Sequence, residues 1–248
     1  MITLTLVYAF CGLLAGLLIG VAGIGGVILV PLLVYLAGAD IHQSIAAAIF
    51  SFFISGVVGT IIYTRRGVIE WPLVRSLVTG AIPGTLAGTF LLVHVNEFAL
   101  KILIAILTIL SAVRELLAAS IATRATSFEP TAPRLIVIGA VTGALSALSG
   151  TGGPLILIPV LIWISAPVVL AIGLAQVIQL PVAIVATAGN TWNGMLDWRM
   201  AFAIAAGVAV GSFIGGTVSK HIPAASIKKG VAVLLLASGL LMIFSILN

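Results

Sequence analysis

The chain has 248 residues, of which 62% are hydrophobic and only 7% charged, with a formal net charge of +5. A soluble domain carries about 25% charged residues, so water is not the solvent for most of this surface, and the composition is that of a polytopic membrane protein. The basic excess does not point to nucleic acid, because the Lys and Arg residues fall in loops flanking apolar runs, where they report topology.

In chain order, the apolar runs predict membrane segments at roughly 3–21, 27–38, 43–63, 74–93 and 98–118. A second set follows at roughly 135–149, 154–165, 169–188, 200–219 and 229–247. The N-terminal run lacks the basic flank of a cleaved signal peptide and is expected to stay as the first segment. The second segment of each set is short for a full crossing and is expected to be half of a broken or re-entrant helix. Between the sets, residues 119–133 (polar, with Pro130 and Pro133) read as a cytoplasmic linker. The expected organisation is a first membrane repeat at 1–118, the linker, and a second repeat at 134–248. No charged residue lies between Arg134 and Asp197, a stretch far longer than the roughly 20 residues that cross a bilayer.

The two sets are copies. Gly12, Gly16, Gly23, Gly25 and Gly26 fall on Gly139, Gly143, Gly150, Gly152 and Gly153, each 127 positions later. The same offset carries Gly67 to Gly194, Trp71 to Trp198, and Gly80, Gly84 and Gly88 to Gly207, Gly211 and Gly215. A duplicated hydrophobic half broken by glycine is the mark of a secondary transporter. Loop charge gives the relative orientation. Arg65, Arg66, Arg75, Arg114, Arg124, Arg134, Lys220, Lys228 and Lys229 fall on one side if each half crosses an odd number of times, leaving only Lys101 and Arg199 opposite. The basic side is cytoplasmic, both termini are outside, and the halves are inverted-topology repeats. The fold class expected is all-α, with two inverted repeats, about 8–10 embedded helices and breaks at the Gly-rich motifs.

Three groups of residues carry chemistry. Gly23, Gly25 and Gly26 in the first copy and Gly150, Gly152 and Gly153 in the second interrupt apolar runs. Such breaks uncover backbone groups that protein, water or a ligand must satisfy. A broken helix would present its amides to an anion; the alternative is close packing through small residues. Gln176 and Gln179 are three apart and share a helix face ahead of Pro181. With Ser149, Thr151 and Ser51 they form either a neutral donor set for an oxyanion or a set of interhelical hydrogen bonds. The spaced glycines Gly80, Gly84, Gly88 and Gly207, Gly211, Gly215 read as helix-packing faces. Asn190 and Asn193 read as loop residues at the membrane surface. The lone Cys11 packs and supports neither a disulfide nor a metal site. No Lys, Arg, Asp or Glu lies mid-span, no ATP-binding loop is present, and no cofactor or metal is expected. A serine hydrolase using Ser149 and His221 is disfavoured, because Ala22 stands in place of Ser149 in the copy beside His94.

The two Gly-rich segments, each followed by a proline (Pro31, Pro159), resemble the sulfite exporter TauE/SafE family, also called the toluene-sulfonate uptake permeases. The RRGVIEW and WNGMLDW stretches, Arg65–Trp71 and Trp192–Trp198, extend the resemblance over nearly the whole chain. It departs at Thr151 and Pro154 of GTGGP and at Ala46, Ala47 and Ala48, where a hydroxyl-rich start is usual. The resemblance implies an inner-membrane permease, not an enzyme, moving a small sulfur-containing anion such as sulfite, thiosulfate or sulfoacetate. Its expected partners are that anion and the lipid bilayer, with a homodimer left open. The alternatives are a subunit of a larger permease complex and a transporter of another small solute.

Overall fold

The computed structural model describes residues 2–22, 26–117, 128, 130–218 and 224–247. Ten helices follow one another: α1 (Ile2–Ala22), α2 (Gly26–Tyr35), α3 (Ile41–Arg65), α4 (Trp71–Leu92), α5 (Glu97–Leu117), α6 (Ala132–Ser149), α7 (Pro154–Trp163), α8 (Val168–Trp192), α9 (Trp198–Val218) and α10 (Ala224–Leu247). No strand occurs among the described residues. Among the described residues five helices (α1, α3, α6, α8 and α9) are long and apolar enough to cross a membrane. The polarity is that of a protein in lipid. Phe213 is 76% exposed and Trp192 92%, while hydroxyls and amides lie inside. Trp71 and Trp163 at one end of the bundle, and Trp192 and Trp198 at the other, sit where aromatic side chains anchor to the two interfaces.

α2 and α7 have ten residues each, about 15 Å of helix, half of a 30 Å hydrocarbon core. α2 packs on both α1 and α3, and α7 chiefly on α8. The Cys11 thiol of α1 contacts the Leu32 carbonyl, so α2 runs back along α1.

Glycines decide which long helices meet. α1 and α9 run parallel, with Gly12 on Ile204, Gly16 on Val208 and Gly20 on Ser212. α4 and α6 repeat this, with Gly80 on Ile136, Gly84 on Ala140 and Gly88 on Ala144. A Cβ at Gly84 would stand 2.1 Å from the Ala140 carbonyl oxygen, so only glycine permits the approach. The packing role expected of these glycine rows is what the structure displays, and Gly12 and Gly16 share it. Each seam joins a helix from before the linker to one after it, as do the α3–α8 and α5–α10 contacts.

The duplication also shows in the backbone. Arg66 closes α3 at φ −80° and ψ −3°, and Asn193 closes α8 at φ −79° and ψ 0°. Gly67 (φ 66°) and Gly194 (φ 68°) follow in the left-handed region. In both turns the next residue's N–H returns to the helix, Val68 to Tyr63 and Met195 to Asn190, the Schellman closure that glycine favours.

Candidate functional site

α3 and α8 cross antiparallel at the centre of the bundle, Gly56 against Gln179 and Gly59 against Gln176. The Gly59 contact exists because a Cβ there would lie 2.3 Å from the Gln176 Oε1. Both helix breaks reach this crossing, and they meet at one side chain. The ring of Phe52, 1% exposed, lies between Gly26 at the start of α2 and Gly152 in the second break. A Cβ on Gly26 would stand 2.8 Å from Phe52 Cζ, and one on Gly152 2.8 Å from Phe52 Cδ2. Gly152 also has φ 74°, which β-carbons disfavour.

Around the ring is a cavity lined by Ile19, Gly26, Val27, Phe52, Ser55, Thr151, Pro154, Leu155, Gln176 and Gln179. Its volume is about 20 Å³, room for roughly one water molecule. Its polar groups form a clasp. Gln179 Nε2 donates to the Phe52 carbonyl (2.8 Å) and to Ser55 Oγ (2.7 Å), and Ser55 Oγ donates to the same carbonyl at 3.0 Å. Ser149 Oγ donates to the Leu145 carbonyl at 2.6 Å and lies 2.9 Å from Thr151 Oγ1. A hydroxyl has one proton, so Thr151 is the donor in that pair. Both amide protons of Gln179 and the protons of Ser55, Ser149 and Thr151 are therefore engaged. The Gln176 amide is half-buried, lines the cavity and has no hydrogen-bond partner among the described residues.

The second break supplies a further set of donors. Gly150 closes α6 in the left-handed region (φ 70°), its amide returning to the Ser146 carbonyl. Gly153 (φ 106°) opens α7 with no side chain capping it, and Pro154 follows. The first-turn amides of α7 thus carry the partial positive charge of a helix N-terminus without a protein side chain to answer it.

Of the residues picked out in the sequence, Gly26, Thr151, Gln176 and Gln179 line the cavity, Gly152 abuts Phe52, and Ser149 touches it through Thr151. Gly150 packs on Val30 and Ile45. Ser51 is buried but does not line the cavity; its hydroxyl donates to the Ala48 carbonyl at 2.7 Å. Gly23 and Gly25 lie outside the described residues, as does His221. Phe52 and Ser55 are the additions. Phe52 looks like any apolar core residue in the sequence, and only its position between two glycines distinguishes it. Asn190 corrects the loop reading: it is on the last turn of α8 and fully buried, with neither side-chain polar atom partnered.

A model of the family described as sulfite exporter TauE/SafE matches residues 8–242. The chain belongs to the TauE/SafE family. It is therefore a multi-pass membrane transporter of anions and not an enzyme, and the plasma membrane is the typical location of a TauE/SafE protein. No curated protein and no solved structure matches the chain. Among the described residues no three His, Cys, Asp or Glu side chains converge, and the polar side chains lining the cavity are the amides of Gln176 and Gln179 and the hydroxyls of Ser55 and Thr151.

Proposed function

We propose that this TauE/SafE protein is a secondary transporter or facilitator of a small sulfur-containing oxyanion, bound where the two helix breaks meet. The observation that carries this reading is the convergence of Gly26, Gly152, Thr151, Gln176 and Gln179 on one small polar cavity at the α3–α8 crossing. The uncapped start of α7 offers amides and a favourable dipole. Gln176 and Gln179 offer neutral N–H donors. No Lys or Arg side chain lines the cavity to hold the anion tightly, which suits release as well as capture. The anion gains access when the Gln179–Ser55–Phe52 clasp opens and its donors turn to the ligand.

The two halves are proposed to be inverted in the membrane, with Lys and Arg gathered on the cytoplasmic side and the 119–133 linker there too. The parallel seams α1–α9 and α4–α6 each tie a helix of one half to the other, and movement of these paired units about the fixed crossing would expose the cavity to each side in turn.

The test is flux of sulfite and of thiosulfate into liposomes carrying purified protein. Wild type should transport at least one, and a Gln176→Ala/Gln179→Ala variant that still purifies intact should lose that flux. Undiminished flux in the double variant would remove the site, and no flux of any sulfur oxyanion by wild type would remove the substrate class.

A further inference from the structure

Helical hydroxyls in lipid-embedded helices commonly return their proton to a carbonyl three or four residues back. Ser44, Thr79, Thr108, Ser111, Ser149 and Thr191 all do so here. Five buried hydroxyl oxygens do not: those of Thr85 and Thr89 on α4, Thr142 and Ser146 on α6, and Ser212 apart from them on α9. The first four and the Asn190 amide of α8 have no partner, and none of these five residues is more than 3% exposed.

Helix register gathers them. Thr85 Oγ1 lies 2.7 Å from where a Cβ on Gly143 would be, beside Thr142, and Thr89 packs against Gly189, beside Asn190. Ser146 Oγ and Thr142 Cγ2 both face Gly153, each 3.9 Å from its Cβ position, with no nearer atom there. None of the five lines the cavity at Phe52. They form a second polar group behind the same helix break. As a group it exists in one copy only: the equivalents of Thr85, Thr89, Thr142, Ser146 and Asn190 are Ser212, Gly216, Ala15, Ile19 and Tyr63, of which Ser212 alone is also an unpartnered buried hydroxyl. Duplication alone does not account for it.

We propose that this α4–α6–α8 seam binds a small monovalent cation, Na⁺. Five unpaired buried polar side chains are destabilising unless something satisfies them. All five present neutral oxygens. Divalent cations call for carboxylates, and transition metals for imidazole or thiolate; the seam has none of these. Neutral oxygens beside the C-terminal, partially negative end of a broken helix are the environment in which transporters hold Na⁺. The end of α6 is such an end, and Gly150–Gly153 joins it to the anion cavity. The seam is thus placed to set the geometry of the break. That coupling role rests on the anion-transport reading, whereas Na⁺ binding itself does not.

The experiment is thermal unfolding of the purified, substrate-free protein in NaCl, KCl and N-methylglucamine chloride at equal ionic strength. Wild type should melt about 2–4 °C higher in NaCl than in either other salt. Thr142→Val/Ser146→Ala should lose that difference while melting no lower than wild type in N-methylglucamine, since it removes unpaired groups. A wild-type midpoint equal in all three salts, an equal rise in KCl, or a rise that survives in the variant would overturn the assignment. Equilibrium binding of radiolabelled Na⁺ to wild type needs no variant: saturable binding is expected, and its absence overturns the site. Both readouts are made without anion, so their failure is distinct from a failure of sulfite flux.

Discussion

The Phe52 wedge makes a quantitative prediction. Gly152→Ala puts a methyl 2.8 Å from Phe52 Cδ2 at a position with φ 74°. The left-handed backbone costs an alanine about 1–2 kcal/mol, partly offset by the loss of glycine's freedom in the unfolded chain. The ring has little room to retreat, because it is 1% exposed and its far edge packs against Gly26. Overpacking of this kind costs about 1–3 kcal/mol, so the total is about 2–4 kcal/mol, or a fall in Tm of roughly 4–16 °C at 2–4 °C per kcal/mol. Gly194→Ala is the control. Its φ is 68° but nothing lies within 4 Å, so it bears the backbone cost alone, about 1 kcal/mol. Phe52→Leu shortens the wedge. In that background Gly152→Ala should cost only what Gly194→Ala costs, leaving a coupling of about 1–3 kcal/mol between the two sites. The assay is thermal unfolding of the four-member cycle in detergent, with sulfite flux measured on every variant that folds. If Gly152→Ala melts no lower than Gly194→Ala, or if Phe52→Leu leaves its cost unchanged, the two breaks do not meet on that ring.

Gln176→Ala should lose flux at nearly unchanged Tm, since its side chain has no hydrogen-bond partner among the described residues; a large loss of stability would make it a structural residue instead. Gly84→Leu should cost about 3 kcal/mol or more and abolish a monodisperse purification peak, because the new side chain meets the Ala140 backbone; a normal peak would mean the α4–α6 seam is looser than described. Arg66→Cys and Asn193→Cys occupy equivalent, exposed turns, and the single native cysteine is buried. An impermeant thiol reagent added outside should label Asn193→Cys and spare Arg66→Cys if the halves are inverted; labelling of both from one side would reject the inversion.

Element boundaries were legible because each is written in local chemistry. Charge and glycine at Arg65–Gly67 and Asn193–Gly194 end α3 and α8, and the ten expected segments agree with the ten helices to within a few residues, the last beginning five earlier. The glycine rows were legible too, since spacing alone puts them on one helix face. Which rows pair was not, because nothing local says that Gly84 meets Ala140. The cavity was half legible. Polar residues stand out against an apolar background, which finds Gln176, Gln179 and Thr151. Ser51 and Ser55 look alike in sequence, four apart on α3, yet only Ser55 turns to Gln179 while Ser51 bonds back to its own helix. Asn190 was misread because four residues from a turn looks like surface, whereas the parallel packing of Thr89 on Gly189 buries that last turn.

The clasp and the duplication together constrain how the cavity opens. Gln179 corresponds to Phe52 at the 127-residue offset, and Gln176 to Ile49. The donor in one copy therefore meets, across the crossing, the aromatic wedge that occupies its own equivalent position in the other. A symmetric site would put glutamine against glutamine or phenylalanine against phenylalanine. Here Gln179 instead donates to the Phe52 carbonyl at 2.8 Å, so the backbone that carries the ring between the two breaks is fastened to an amide that lines the cavity. A movement of α3 that carries the Phe52 backbone and its ring away from Gly26 and Gly152 stretches that bond, and breaking it frees an amide proton beside the cavity. A ligand that accepts this proton replaces what the movement loses. A ligand lacking an acceptor leaves a buried amide unpaired, at about 1–3 kcal/mol, and the break stays shut. Selection for an oxyanion would then lie in the opening step as much as in the binding contacts themselves.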